Sequence, residues 1–140
     1  MARLIIAEDE THMLRLLEMT LRKHGHTWTV CRNGQEAVDR AREQPADCII
    51  MDVMMPVMDG LTALAELKKM ESVRDIPVIM LTARGQFIDR EQARSSGAAV
   101  FLTKPYSPTE LLNHIQRLTT PAVPAPALPP AAAASAEQPS

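Results

Sequence analysis

Five short apolar runs alternate with five segments of helical spacing, and this alternation constrains the fold more than any other feature. The apolar runs are residues 4–7, 27–31, 48–51, 77–81 and 99–102. The segments with helical spacing are residues 11–24, 35–44, 61–71, 86–96 and 108–118. Strands that alternate with helices form a parallel sheet covered by helices on both faces. We therefore predict an α/β fold with five parallel strands and five helices.

The residues that flank these segments support the assignment. Gly25 and Gly97 each follow a helical segment, where a residue in the left-handed conformation commonly ends a helix. The stretches "NGQE" from Asn33 and "SPTE" from Ser107 each place a capping residue three positions before a glutamate. Two of the five helices are therefore expected to begin at these caps.

The last 22 residues differ in composition from the rest of the chain. The segment "TTPAVPAPALPPAAAASAEQPS" holds six of the eleven prolines, eight alanines and a single charge, Glu137. Such a segment cannot form a core and favours an extended chain. We predict a folded domain over residues 1–118 and a disordered, Pro/Ala-rich tail or linker over residues 119–140.

Charge and hydropathy argue against two classes of function. The net charge is -2 and no basic stripe is present, so the chain lacks the charge pattern of a nucleic-acid-binding protein. No apolar stretch approaches the roughly 20 residues that span a bilayer, and the N-terminal apolar run is too short for a signal peptide. We expect a cytoplasmic protein that binds neither nucleic acid nor membranes directly.

Polar side chains follow four of the five predicted strands. They are, in chain order, Glu8 with Asp9, then Asp52, Thr82 and Lys104. Each has an ordinary alternative explanation, since an aspartate can cap a helix or begin a turn and a lysine can simply be solvated. The carboxyl ends of parallel strands, however, form one edge of the sheet, where ligands of such folds bind. We therefore expect these side chains to lie close together.

The chemistry of this set points to phosphoryl transfer. Three clustered carboxylates repel one another unless they are protonated or bind a cation. Oxygen ligands of this kind suit Mg²⁺, which also binds phosphate oxygens. An ammonium and a hydroxyl are suitable partners for a phosphoryl group. The set therefore predicts a carboxylate nucleophile, Asp52, that accepts a phosphoryl group with the help of Mg²⁺.

Four motifs extend this interpretation. The segments "AEDE", "MDVMMPVMDG", "LTA" and "TKPYSPTEL" resemble, in order, the hallmark segments of bacterial response-regulator receiver domains. The resemblance covers residues 1 to about 118. It implies a flavodoxin-like, doubly wound sheet with the strand order 2-1-3-4-5, and a cis peptide bond between Lys104 and Pro105.

The resemblance also implies a role for each site residue. Asp52 corresponds to the phosphoacceptor. The groups implied for Mg²⁺ are Asp9, Asp52, the backbone carbonyl of Met54 and, through a water molecule, Glu8. The groups implied for phosphoryl binding are Thr82 and Lys104, and those for switching are Thr82 and Phe101. Met54 and Arg84 occupy the positions that control the approach of water, and both residue types favour a long-lived aspartyl phosphate.

Partners follow from the same resemblance. The phosphodonor is expected to be a sensor histidine kinase or a phosphotransfer protein. A downstream protein is expected to bind the fourth helix, the fifth strand and the fifth helix. Receivers similar to "TKPYSPTEL" also pair through this face on phosphorylation. Arg90 and Glu110 match one of its ion pairs, whereas Val100 and His114 replace an acid and a base. The resemblance therefore implies a homodimer on phosphorylation without fixing that particular pairing.

Several alternatives remain open from the sequence. The chain is a stand-alone regulator or the receiver part of a longer regulator with an output domain. A phosphohydrolase that uses Asp52 as its nucleophile is less favoured, because such enzymes commonly carry an acid two residues later and this chain has Met54 there. A receiver-like module that never phosphorylates would tend to lack part of the set. We expect a signalling phosphoacceptor, not an enzyme.

Overall fold

A five-stranded parallel sheet forms the centre of the molecule. The computed structural model describes residues 2–83 and 90–120. The strands are β1 (Arg3–Ala7), β2 (Thr27–Cys31), β3 (Cys48–Asp52), β4 (Val78–Thr82) and β5 (Val100–Thr103). Their order in the sheet is β2-β1-β3-β4-β5, and every neighbouring pair is parallel. The flavodoxin-like order that the resemblance implies is confirmed.

Five helices connect and cover the strands. They are α1 (Thr11–Lys23), α2 (Gly34–Glu43), α3 (Gly60–Lys68), α4 (Arg90–Ser96) and α5 (Pro108–Thr119). The part of the predicted fourth helix before Arg90 lies outside the described residues, as does the tail after Thr120. None of the helices in the described part of the chain is long and apolar enough to cross a membrane.

The core has two layers, one on each face of the sheet. Ile5, Met51 and Met80 pack on one face with residues of α2 and α3. Ile6 and Ile50, their neighbours along β1 and β3, pack on the other face with residues of α1 and α5. Successive side chains of a strand point to opposite faces, so strands covered on both sides are apolar throughout. This explains why the central runs show no polar alternation.

The two cysteines are free and buried in different layers. Cys31 packs on the α2 and α3 face, whereas Cys48 packs on the α1 and α5 face. The intervening sheet therefore separates the two thiols.

Helix caps agree with the sequence at two helices, and at a third the structure shows a cap that the sequence leaves open. Asn33 and Ser107 accept hydrogen bonds from the backbone N–H groups of the residues three positions later, as predicted. At α1, however, the cap is Glu10, whose carboxylate accepts from the N–H of Met13 (2.9 Å). Asp9 therefore does not cap α1, which leaves its carboxylate available for another role.

The connection from β3 to α3 is tightly packed at Gly60. A Cβ atom on Gly60 would lie 2.2 Å from the carbonyl oxygen of Asp52. The N–H of Gly60 donates to the carbonyl of Val53 (2.8 Å). Only a residue without a side chain allows α3 to begin so close to the end of β3. Gly60 thereby fixes the backbone that carries Asp52.

Candidate functional site

Three carboxylates meet at the carboxyl edge of the sheet. Glu8 and Asp9 directly follow β1, and Asp52 is the last residue of β3, the strand paired with β1. One carboxylate oxygen from each of the three lies within 4.8 Å of the other two. Glu8 and Asp52 are buried, with 1% and 6% of their surface exposed, whereas Asp9 is exposed. The neighbours predicted from strand order are therefore brought together.

Lys104 is the cation that faces this cluster. Its Nζ atom lies 2.8 Å from Oδ2 of Asp52 and 3.1 Å from Oε1 of Glu8. Desolvation disfavours the charged ammonium, but the hydrogen bonds and charges of Asp52 and Glu8 outweigh it and raise the pKa of Lys104. Lys104 therefore carries its charge in a place where two buried carboxylates require it.

Glu8 has the most perturbed environment of the cluster. Burial, followed by the nearby charge of Asp52, raises the pKa of Glu8 to about 7, although the Glu10 N–H and Lys104 oppose this shift. Both oxygens already have donors, because Oε1 accepts from Lys104 and Oε2 accepts from the Glu10 N–H (3.1 Å). Glu8 is consequently held from two sides, by Lys104 and by the backbone N–H of Glu10.

The donor set fits Mg²⁺. Three carboxylates face one ammonium, so the group retains a net negative charge when all four are ionised, and a divalent cation would relieve it. All of the available ligand atoms are oxygens, which Mg²⁺ prefers. The N–H of Met54 donates to Oδ1 of Asp52 (3.4 Å), which keeps the backbone of Met54 beside that carboxylate. Asp9 and Asp52 could therefore form direct protein ligands, and the role of the Met54 carbonyl that the resemblance implies stays a prediction.

Thr82 lies at the same edge, one strand further along. It is the last residue of β4 and is 5% exposed. Its hydroxyl makes a long hydrogen bond (3.5 Å) to the carbonyl of Leu102 in β5. Its own carbonyl accepts from the N–H of Lys104 (2.7 Å). The backbone thus joins Thr82 to the segment that carries Lys104, and the peptide bond between Lys104 and Pro105 is cis, as predicted.

Phe101 lies away from the carboxylates. It pairs in register with Met80 and is partly buried against the core on the α2 and α3 face. The side chain of Arg90 and the whole of Arg84 lie outside the described residues. The expectations on the ion pair with Glu110 and on the lifetime of an aspartyl phosphate therefore stay predictions.

Two features of the site were not predicted from the sequence. Glu10 holds Glu8 with its N–H and caps α1 with its side chain. Val57, in the loop after Asp52, has a φ of 68°, which a β-branched residue rarely adopts. The sequence signal for Glu10 was the acidic run "EDE", in which three residues compete for one capping position. Val57 gave no sequence signal of this kind.

A family model and solved structures match this architecture. The model for the response regulator receiver domain matches residues 4–116. The receiver domain of the sensor histidine kinase PA1611 from Pseudomonas aeruginosa, solved with magnesium in its active-site cleft, is 34% identical with a TM-score of 0.77 and covers 84% of this chain and 97% of its own. The chemotaxis response regulator CheY4 of Vibrio cholerae is 29% identical with a TM-score of 0.76. The match covers 84% of this chain and 98% of CheY4.

A curated relative shows the same likeness in sequence. The transcriptional regulatory protein SrrA of Staphylococcus aureus is 36% identical over 115 residues, which cover 82% of this chain and 46% of that relative. The chain thus spans less than half the length of this relative.

Proposed function

The chain belongs to the response-regulator receiver family, and from this membership we propose that Asp52 accepts a phosphoryl group from a sensor histidine kinase or a phosphotransfer protein. Receiver domains are partners of such kinases in two-component systems. The observation that most supports Asp52 is its position in the cluster, because it is buried, ends a central strand and is bonded to Lys104 at 2.8 Å.

The transfer itself needs a carboxylate oxygen in line with the donor's phosphorus. An oxygen of Asp52 forms the new P–O bond while the P–N bond to the donor imidazole breaks, and the imidazole keeps that electron pair. As negative charge moves from the carboxylate to the phosphoryl group, the ammonium of Lys104 exchanges its bond to Asp52 for one to the phosphoryl oxygens. Bound Mg²⁺ would neutralise charge on the carboxylates and on the transferring group.

The switch would use the hydroxyl of Thr82. Phosphorylation adds oxygens beside β4, so the hydroxyl exchanges its long bond to Leu102 for a shorter one to the phosphoryl group. This movement opens space on the side of β5 that Phe101 can enter. The face formed by α4, β5 and α5 then differs between the two states, and a downstream protein binds one of them. On this account the chain is a switch and not an enzyme with its own substrate.

A phosphorylation assay tests the proposal. The wild-type chain is incubated with labelled acetyl phosphate, with Mg²⁺ or with a chelator. We expect one phosphoryl group per chain with Mg²⁺, and none in Asp52→Asn or with the chelator. The matched control is Asp39→Asn, since Asp39 lies on α2 and its carboxylate accepts a hydrogen bond from Gln35 of the same helix. Labelling that persists in Asp52→Asn would refute the assignment.

A further inference from the structure

An apolar groove lies between α1 and α5, apart from the acidic site. It has a volume of about 320 Å³ and is lined mainly by apolar side chains, among them Met13, Leu16, Met19, Tyr106 and Leu111. Leu16 and Met19 are 58% and 56% exposed, although both are large apolar residues on a helix that already buries another face. Contiguous apolar surface of this kind usually marks a place where something binds.

The groove continues toward the end of α5. A second depression, of about 390 Å³, shares Thr20, Lys23 and Pro108 with the first and extends to Leu112 and Gln116. Gln116 is in the last turn of α5, and its carbonyl accepts from the N–H of Thr120. The apolar groove therefore opens into a second depression, lined mostly by polar residues, that reaches the point where the chain leaves α5.

The chain leaves α5 in an extended conformation. Thr120 has φ of -74° and ψ of 129°, which lies near the polyproline II region. The next eight residues are "PAVPAPAL", which contain three prolines, Val123 and Leu128 but no charge. In polyproline II they would span about 25 Å, whereas the helix from Leu111 to Thr120 is about 14 Å long. This segment is long enough to run back along the whole groove.

We propose that residues 121–128 of the chain dock in the groove between α1 and α5. Proline-rich segments bind apolar grooves that contain aromatic side chains, because their restricted backbone loses little entropy on binding. Tyr106 supplies the ring, and Val123 and Leu128 supply apolar side chains that can cover Leu16 and Met19.

Two further features favour this occupant. Lys23 lines both depressions, and its ammonium can donate to the free carbonyls of an extended chain. The segment also begins one turn from the groove, and a short connection gives local concentrations in the millimolar range. Weak contacts are then sufficient for docking. The composition alone predicts a mobile tail, so this proposal changes that expectation for residues 121–128.

Methionine methyl NMR of the full chain tests the proposal. Met13 and Met19 line the groove, and Met70 packs against the opposite face of the sheet as an internal reference. The double variant Val123→Asp with Leu128→Asp should shift the Met13 and Met19 methyl signals and leave Met70 unchanged. The matched control, Ala132→Asp with Ala134→Asp, adds the same charge outside the docking segment and should leave all three signals unchanged.

A reciprocal variant and a dilution series complete the test. Leu16→Lys with Met19→Lys should move the methyl signals of Val123 and Leu128 to the positions of an unstructured peptide. The wild-type signals should not depend on protein concentration. Met13 and Met19 signals that coincide in the wild type and the tail variant would overturn the proposal. A difference that appears only at high concentration would overturn it as well, and would assign the groove to a second copy of the chain.

Discussion

The acidic site and the groove between α1 and α5 are both unfavourable for the fold, but for opposite reasons: the site buries charged side chains and the groove exposes apolar ones. The site buries Glu8 and Asp52 at an edge of the sheet, whereas the groove exposes Leu16 and Met19 on a helix surface. Burial of charge is costly unless it is paired, and exposure of apolar surface forgoes the gain of burial. Lys104 offsets part of the buried negative charge at the site. The groove has no comparable partner for its exposed apolar side chains among residues 2–83 and 90–120.

The acidic site and the groove should therefore respond differently to substitution. Removal of a partner at the site leaves charge uncompensated in the interior, so the fold itself should suffer. Removal of an exposed apolar side chain from the groove should leave the fold almost unchanged and affect only what binds there. The following variants test this difference, in order of decreasing effect on stability.

The largest effect is expected at Lys104. In a chelating buffer, Lys104→Met should lower the free energy of unfolding by about 3 kcal/mol, because it leaves two buried carboxylates without their cation. The matched control is Lys69→Met at the C-cap of α3, whose ion pair with Glu66, three residues earlier, is exposed. Lys69→Met should lower the free energy of unfolding by less than about 0.5 kcal/mol. Urea unfolding followed by Trp28 fluorescence measures both, and equal losses would contradict the account.

The next effect is expected at the glycine behind Asp52. Gly60→Ala places a methyl group against the carbonyl oxygen of Asp52, and such overpacking should cost about 2–3 kcal/mol. Gly25→Ala is the control, because its Cβ would meet no atom within 4 Å and only the positive φ of 76° is unfavourable. That change should cost about 1 kcal/mol. If Gly60→Ala unfolds no more easily than Gly25→Ala, the close contact does not constrain the site.

A gain in stability is expected at Val57. Its φ of 68° is unfavourable for a β-branched residue, so Val57→Gly should raise the free energy of unfolding by about 1 kcal/mol. Val57→Ala keeps the Cβ atom and should gain less. Because Val57 is 83% exposed, lost packing should not obscure the result. A destabilised glycine variant would show that the loop is not strained.

The smallest effect is expected in the groove. Leu16→Ala should change the free energy of unfolding by no more than about 0.5 kcal/mol. Leu14→Ala, on the buried face of the same helix, should cost about 3 kcal/mol, since Leu14 is 4% exposed. A large loss for Leu16→Ala would mean that the groove is part of the core, and the contrast with the acidic site would fail.

The fold was predictable because its strands are apolar and its helices have clear caps. The predicted third and fourth strands end one residue early, because the prediction places Asp52 and Thr82 after the strands. A polar side chain does not end a strand whose backbone still pairs, and Asp52 pairs in register with Leu81. The sequence therefore indicated the right residues and placed their strand ends slightly too early.

The sequence predicts which carboxylates cluster at the edge of the sheet, but not the hydrogen bonds that they make. Strand order alone brings Glu8, Asp9 and Asp52 to one edge, whereas the partners of each oxygen depend on side-chain conformations. Only the structure shows that Lys104 bonds both Asp52 and Glu8, and that Glu10 rather than Asp9 caps α1. The groove was missed because Leu16 and Met19 have the spacing of an ordinary core face, and only packing shows that they are exposed.

The most direct test is to locate the phosphoryl group on the phosphorylated chain. Borohydride reduces an aspartyl phosphate to homoserine, which marks the modified residue and survives proteolysis and mass spectrometry. The wild-type chain, phosphorylated in the presence of Mg²⁺, should carry homoserine at position 52, and the carboxylates of Glu8 and Asp9 should remain unreduced. Reduction at Glu8 or Asp9, or none at position 52 in a chain that has incorporated label, would contradict the assignment of Asp52 as the phosphoacceptor.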